Sequence, residues 1–158
     1  MKFRDLRPLA LFFAGTLVSL GFMCQSVQSD LLECDRLIDR GEVWYTSETG
    51  QPYDGNCVSY YSEGNLQSEA SFKQGLLTGP LKLYYRSGAV EEIVEHTGGV
   101  PDGDATYYYE SGIKRRQGKL IQAQAEGLWH TWYPNGDLEA VENWRDGVME
   151  DSSFSRVR

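Results

Sequence analysis

Histidine, cysteine and basic residues are scarce in this chain, and each shortage removes a class of function. Only 2 of the 158 residues are His and 3 are Cys, with no Cys-x-x-Cys pair and both His far from the cysteines in sequence, so a structural zinc site lacks its ligands. Lys and Arg number 15 against 23 Asp and Glu, a net charge of −8, which argues against nucleic acid or anionic lipid as the main partner. The one long apolar run, Leu9 to Met23, falls short of the ~20 residues that a membrane-crossing helix needs. A chain of 158 residues also leaves little room for a two-domain enzyme. What is abundant is 17 Gly and 10 Tyr, turn formers and strand formers.

The apolar run follows Lys2, Arg4 and Arg7 and precedes a short polar stretch with small residues at Val27 and Ser29. That three-part layout predicts a secretory signal over residues 1–29, with the mature chain starting at Asp30 and exported to a periplasm or the medium. Cys24 leaves a second reading open, a lipidated cysteine, although Met23 before it is not the small residue such signals want. Membrane attachment would come only through that acyl chain. Residues 30–158 carry 12 basic and 22 acidic side chains, a net of −10. They retain Cys34 and Cys57, an even number in an oxidising compartment, which predicts a disulfide between them; two buried free thiols are the alternative.

Self-similarity organises the rest. Gly55, Gly79, Gly103 and Gly127 are spaced by 24 residues, as are Gly64, Gly88, Gly112 and Gly136. Tyr61, Tyr85, Tyr109 and Tyr133 share the period, and Tyr60, Tyr84, Tyr108 and Trp132 stand one place earlier. Each unit reads as a β-hairpin, with the second glycine column at the tip, where a tight turn needs positive φ. The units span 55–78, 79–102, 103–126 and 127–150. Turns between units are expected at Asp54-Gly55, Thr78-Gly79, Asp102-Gly103 and Glu126-Gly127, where the acids and Thr78 would bond the local backbone.

The expected fold is all-β: tandem 24-residue hairpins in one elongated antiparallel sheet. Residues 30–53 form an N-terminal cap, with a short helix over Leu31 to Arg40 and an out-of-register hairpin over 42–53. A Cys34–Cys57 bond would staple this cap over the open end. Residues 148–158, including the tail 151–158, are polar and expected to fray. Alternation splits each aromatic pair between two faces. The buried face takes Tyr61, Tyr85, Tyr109 and Tyr133, with Cys57, Leu81, Ala105 and Trp129. It also takes Leu66, Val90 and Leu138, and Phe72, Leu120 and Trp144. The other face carries Tyr60, Tyr84, Tyr108 and Trp132 beside Val58, Lys82, Thr106 and His130.

These residues resemble the MORN-type repeats, in particular the bacterial variant of the YwqK-like proteins labelled as antitoxins. The resemblance lies in Gly-x-x-x-x-Tyr-Tyr-x-x-Gly-x-Leu, carried by Gly79 to Val90 and most fully by Gly127 to Leu138, and spans residues 42–147. The third unit departs from it: Lys114 replaces the aliphatic residue, and Ala123 replaces the glycine found as Gly75, Gly99 and Gly147. The resemblance implies consecutive antiparallel hairpins in one elongated sheet, no catalytic centre and no agreed binding residue; no cofactor is expected.

Three functions compete. An acidic ribbon bearing aromatic side chains suits a protein partner, a basic toxin in the antitoxin reading, with Tyr60, Tyr84, Tyr108, Trp132 and His130 as the contact residues. The same rings could instead serve only as a cross-strand stack. A membrane-associated or envelope scaffold is the alternative function; its one basic cluster, Lys114-Arg115-Arg116, reads as a solvated turn. Catalysis needs convergent groups. Glu91, Glu92 and Glu95 read as a solvated edge, His96 as a packed core ring, and His130 lacks an evident nucleophile or acid beside it.

Overall fold

The computed structural model describes residues 32–154, so the leader, Cys24 and the last four residues lie outside the described part. The first segment contains β1 (Leu32–Glu33), a 3-10 turn (Cys34–Arg36), β2 (Leu37–Asp39) and β3 (Trp44–Thr46). Next come β4 (Gly55–Tyr60), β5 (Leu66–Lys73), β6 (Leu76–Leu77), β7 (Gly79–Tyr84) and β8 (Val90–Thr97). The series ends with β9 (Val100–Tyr108), β10 (Lys114–Ile121), β11 (Gln124–Trp132), β12 (Leu138–Arg145) and β13 (Val148–Phe154). One large sheet holds them in the order β1-β4-β5-β7-β8-β9-β10-β11-β12-β13, with β6 beside β5 and β2-β3 forming a separate pair. All pairings are antiparallel except β1 with β4.

Four hairpin tips fall where the second glycine column predicts. At the first, Gly64 N–H donates to the Tyr61 carbonyl and Tyr61 N–H to the Asn65 carbonyl, both at 2.8 Å. The same two bonds close the tips at Tyr85, Tyr109 and Tyr133. Gly64 sits at φ +89°, a left-handed conformation that a Cβ would strain.

The turns between hairpins lie elsewhere than expected. They are Gln74-Gly75, Gly98-Gly99, Gln122-Ala123 and Asp146-Gly147, each with both residues at positive φ. Paired positive φ gives the twist that matches flanking strands. Ala123 adopts φ +64° without a glycine, so the third hairpin connects onward like the others. The expected Asp-Gly turns are instead strand starts and ladder irregularities. Gly103, at φ +131° inside β9, faces Glu95 where the β8–β9 register shifts, and a Cβ there would come within 2.7 Å of the Glu95 Cβ. The acids still serve turns, but distant ones. Asp54 Oδ1 accepts the Gln74 N–H at 2.7 Å, and Glu126 Oε2 accepts the Asp146 N–H at 3.0 Å.

Two further expectations are overturned at the ends. Leu31 to Arg40 forms no α-helix in its described part: Leu32 pairs with Cys57, a single 3-10 turn follows, and Leu37 pairs with Thr46. A ten-residue helix is marginal alone, whereas the free edge of β4 offers ready hydrogen-bond partners. At the other end β13 does not fray over 148–154; it continues the sheet, pairing Val141 with Ser153 and Arg145 with Val148.

The cap closes one face of the first hairpin. Trp44 N–H donates to the Gly75 carbonyl and Gly75 N–H to the Tyr53 carbonyl, both at 2.8 Å, so the β3 segment is docked on the turn after β5. Leu37, Cys57, Ala70 and Phe72 form the buried cluster beneath, with Trp44 and Tyr53 tilted against the Phe72 ring at 5.9 Å. The Cys34–Cys57 disulfide forms and ties β1 and its 3-10 turn to this cluster. A second cluster, Val94, Ala105 and Trp129, lies farther along the same face.

Candidate functional site

Cross-strand register sorts the side chains into two faces. On the capped face one row runs Leu81, Val94, Ala105, Gly118, and its neighbour runs Leu83, Glu92, Tyr107, Arg116, Thr131, Ala140. On the open face the central row runs Glu69, Lys82, Ile93, Thr106, Gln117, His130, Val141. An extra residue on the returning strand just past each tip (Gln67, Glu91, Arg115 and Glu139) resets the alternation. Leu66, Val90 and Leu138 therefore face Tyr60, Tyr84 and Trp132 directly, on the open face rather than the buried one predicted for them.

The predicted contact residues end strands β4, β7, β9 and β11, with one strand between each and the next. Two strand spacings are roughly 9–10 Å, too far for rings to stack. Accordingly Tyr60, Tyr84 and Tyr108 are not a stacked ladder; the partners between them are Leu66, Val90 and Lys114. The other Tyr column does the joining. Tyr61 O–H donates to the Tyr84 carbonyl and Tyr85 O–H to the Tyr108 carbonyl, both at 2.6 Å, and Tyr109 O–H to the Trp132 carbonyl at 2.8 Å. Each bond links one hairpin to the next. Around Tyr84, Lys82 bonds Glu69 at 3.0 Å, which raises the Lys82 pKa, while burial raises that of Tyr84.

The predicted site residues that do come together are His130 and Trp132, stacked at 5.8 Å with 21° between their planes. They line an open groove of about 610 Å³ with Asp104, Gln117, Lys119, Glu126 and Leu128. Leu128 is 59% exposed, an apolar contact point on a rim where Asp104 and Glu126 outnumber Lys119.

A second groove, of about 660 Å³, lies on the capped face beyond the cap; its Tyr109, Leu120, Trp129 and Trp144 are expected on the buried face from sequence, but the groove itself is not anticipated there. Trp129 is 3% exposed because its neighbours cover it. Its indole lies over Gly118, where any Cβ would overlap the ring. Tyr107 stacks on it at 6.4 Å, and the Arg116 guanidinium lies 4.7 Å above it and 5.7 Å from the Trp144 ring. Glu142 Oε2 then accepts Arg116 Nη2 at 2.9 Å and Trp144 Nε1 at 3.1 Å. Arg116 is thus no solvated turn residue; its stem and plane act as a lid on the aromatic floor. Two buried donors in this stack, Arg116 Nε and Trp129 Nε1, have no acceptor among the described residues, at a cost of about 1–3 kcal/mol each.

Nearby, burial pushes the Tyr107 hydroxyl up, with the Glu92 carboxylate adding to it. Glu92, predicted at a solvated edge, lies on the capped face opposite Tyr107, and burial raises its pKa. His96 is a buried ring, as expected, its Nδ1 donating to the Val94 carbonyl at 2.9 Å. The described residues contain no group of three or more His, Cys, Asp or Glu placed to hold a metal.

Residues 53–74, the entry into the first hairpin and most of that hairpin, match the family model described as the MORN repeat variant. No curated protein and no solved structure matches the chain.

Proposed function

We propose that this chain is an exported, non-catalytic module of four MORN-type hairpins that binds a basic protein partner on its open face. A toxin neutralised by an antitoxin or immunity protein is the partner class that the sequence resemblance favours. The observation that carries the reading is the His130–Trp132 stack beside exposed Leu128, rimmed by Asp104 and Glu126 on a chain of net charge −8. An aromatic anchor with an apolar neighbour supplies the contact energy, and the acidic rim speeds encounter with a cation-rich surface. The Cys34–Cys57 disulfide is consistent with an oxidising, extracytoplasmic compartment. Tyr60, Tyr84 and Tyr108 then extend the same surface toward the cap.

The test is capture of partners by the disulfide-intact chain from its own secreted and envelope fractions, followed by binding assays with the purified partner. Trp132→Ala and Leu128→Glu should each weaken binding by about tenfold or more, as for a hot-spot side chain. Higher salt should weaken it further by slowing association. Equal binding by both variants and the native chain would refute the assignment of this face.

A further inference from the structure

We propose that the groove on the capped face, beyond the cap, is a binding site for a planar carboxylate attached to an aromatic ring. The argument is independent of the open face. Within an acidic chain this groove is lined by Arg115 and Arg116 against the single carboxylate Glu142. Arg115 is exposed, lies 6.0 Å from the Tyr107 ring centre, and has no ion-pair partner among the described residues. A guanidinium on an aromatic plane presents a flat fork that fits a carboxylate.

The unsatisfied groups in this stack are all donors. Arg116 Nε and Trp129 Nε1 belong to side chains that line the groove and lack acceptors, and a carboxylate supplies acceptor oxygens. Arg116 keeps 38% of its side chain exposed and borders the groove; in the bound state it exchanges its place over the Trp129 ring for the carboxylate, which exposes these donors. The Trp129, Trp144 and Tyr107 rings offer apolar walls for an aromatic group. Glu142 sets the charge limit: it repels a compact dianion such as phosphate more than a singly charged carboxylate. The carboxylate could belong to a free aromatic acid or to an aromatic residue at a peptide C-terminus.

The indole N–H signals of Trp44, Trp129, Trp132 and Trp144 in the ¹⁵N-labelled, disulfide-intact chain provide the readout. Phenylacetate should shift the Trp129 and Trp144 signals saturably and leave Trp132, on the other face, in place. Phenylacetamide and inorganic phosphate should not. Arg115→Gln, a surface change that keeps the Trp44 signal native, should weaken phenylacetate binding about tenfold. Tighter binding of Gly-Gly-Phe than of phenylacetate, lost on amidating the peptide, assigns the site to a chain terminus; the reverse order assigns it to a free acid. The proposal is overturned if phenylacetate produces no saturable shift at Trp129 and Trp144. It is equally overturned if phenylacetamide or phosphate binds as well, or if Arg115→Gln binds with native affinity.

Discussion

The same face of one sheet is closed in two ways at its two ends. Over the first hairpin, Cys57, Ala70 and Phe72 are covered by a separate piece of chain, held by Leu37 and the Cys34–Cys57 disulfide. Over the third and fourth, Trp129 occupies the Cys57 column and is covered by side chains of the sheet itself, with Arg116 as the lid and Glu142 as its latch. A repeated backbone therefore leaves the means of burial free. Where a cap can reach, small residues and a cystine suffice; beyond its reach, large rings and a snorkelling arginine replace it, and a groove with unused donors is left behind.

The sharpest way to break the comparison is Trp129→Ala, which removes the side-chain cover from one end alone. It should destabilise the chain by about 3–5 kcal/mol in denaturant titrations. Gly118→Ala attacks the same stack from below, because the added methyl collides with the indole; a loss of about 1–3 kcal/mol is expected. Tyr85→Phe cuts one bond between hairpins and touches neither closure. It should cost about 1 kcal/mol, read as a lower midpoint with an unchanged slope.

The smallest effect concerns pH. Burial first, then Glu91, holds the Glu92 carboxyl above the ordinary range, with Arg115 opposing. The folded state then binds this proton more tightly than the unfolded state. The resulting destabilisation is absent below the unfolded carboxyl pKa, sets in as pH rises, and is complete above the raised folded value. Glu92→Gln should flatten that part of the stability profile and raise stability slightly at neutral pH, measured by thermal unfolding across pH.

The tips, the strand order within hairpins and the disulfide were legible in sequence because glycine at positive φ, β-prone pairs and paired cysteines act locally. The turns between hairpins were not. Gln122-Ala123 takes left-handed backbone with no glycine, and Asp54 and Glu126 bond turns 20 residues away, so local turn chemistry pointed to the wrong dipeptides. Strict alternation also failed on the second strand just after each tip, where the extra residues Gln67, Glu91 and Glu139 moved Leu66, Val90 and Leu138 to the other face. Of the candidate contact residues, the period placed Tyr60, Tyr84, Tyr108 and Trp132 in a shared column; only register across strands separates their rings, whereas alternation along β11 already placed His130 on the face of Trp132, where the two rings stack. The arginine lid was hidden for a related reason. Lys114-Arg115-Arg116 reads as a charged tip, and nothing short of the β9–β10–β11 register reveals that Arg116 alone turns onto Trp129.

The most direct test of two separate closures is native-state hydrogen exchange before and after reduction of the disulfide. With its cysteines 23 positions apart in sequence, the bond contributes roughly 3 kcal/mol on loop entropy, and only the capped end depends on it. Reduction should therefore strip protection from the amides of β1, β2, β4 and β5 while β9 to β12 keep theirs. Loss of protection in β9 to β12 in step with β4 and β5 would contradict the account, because the cap would then be closing the whole sheet.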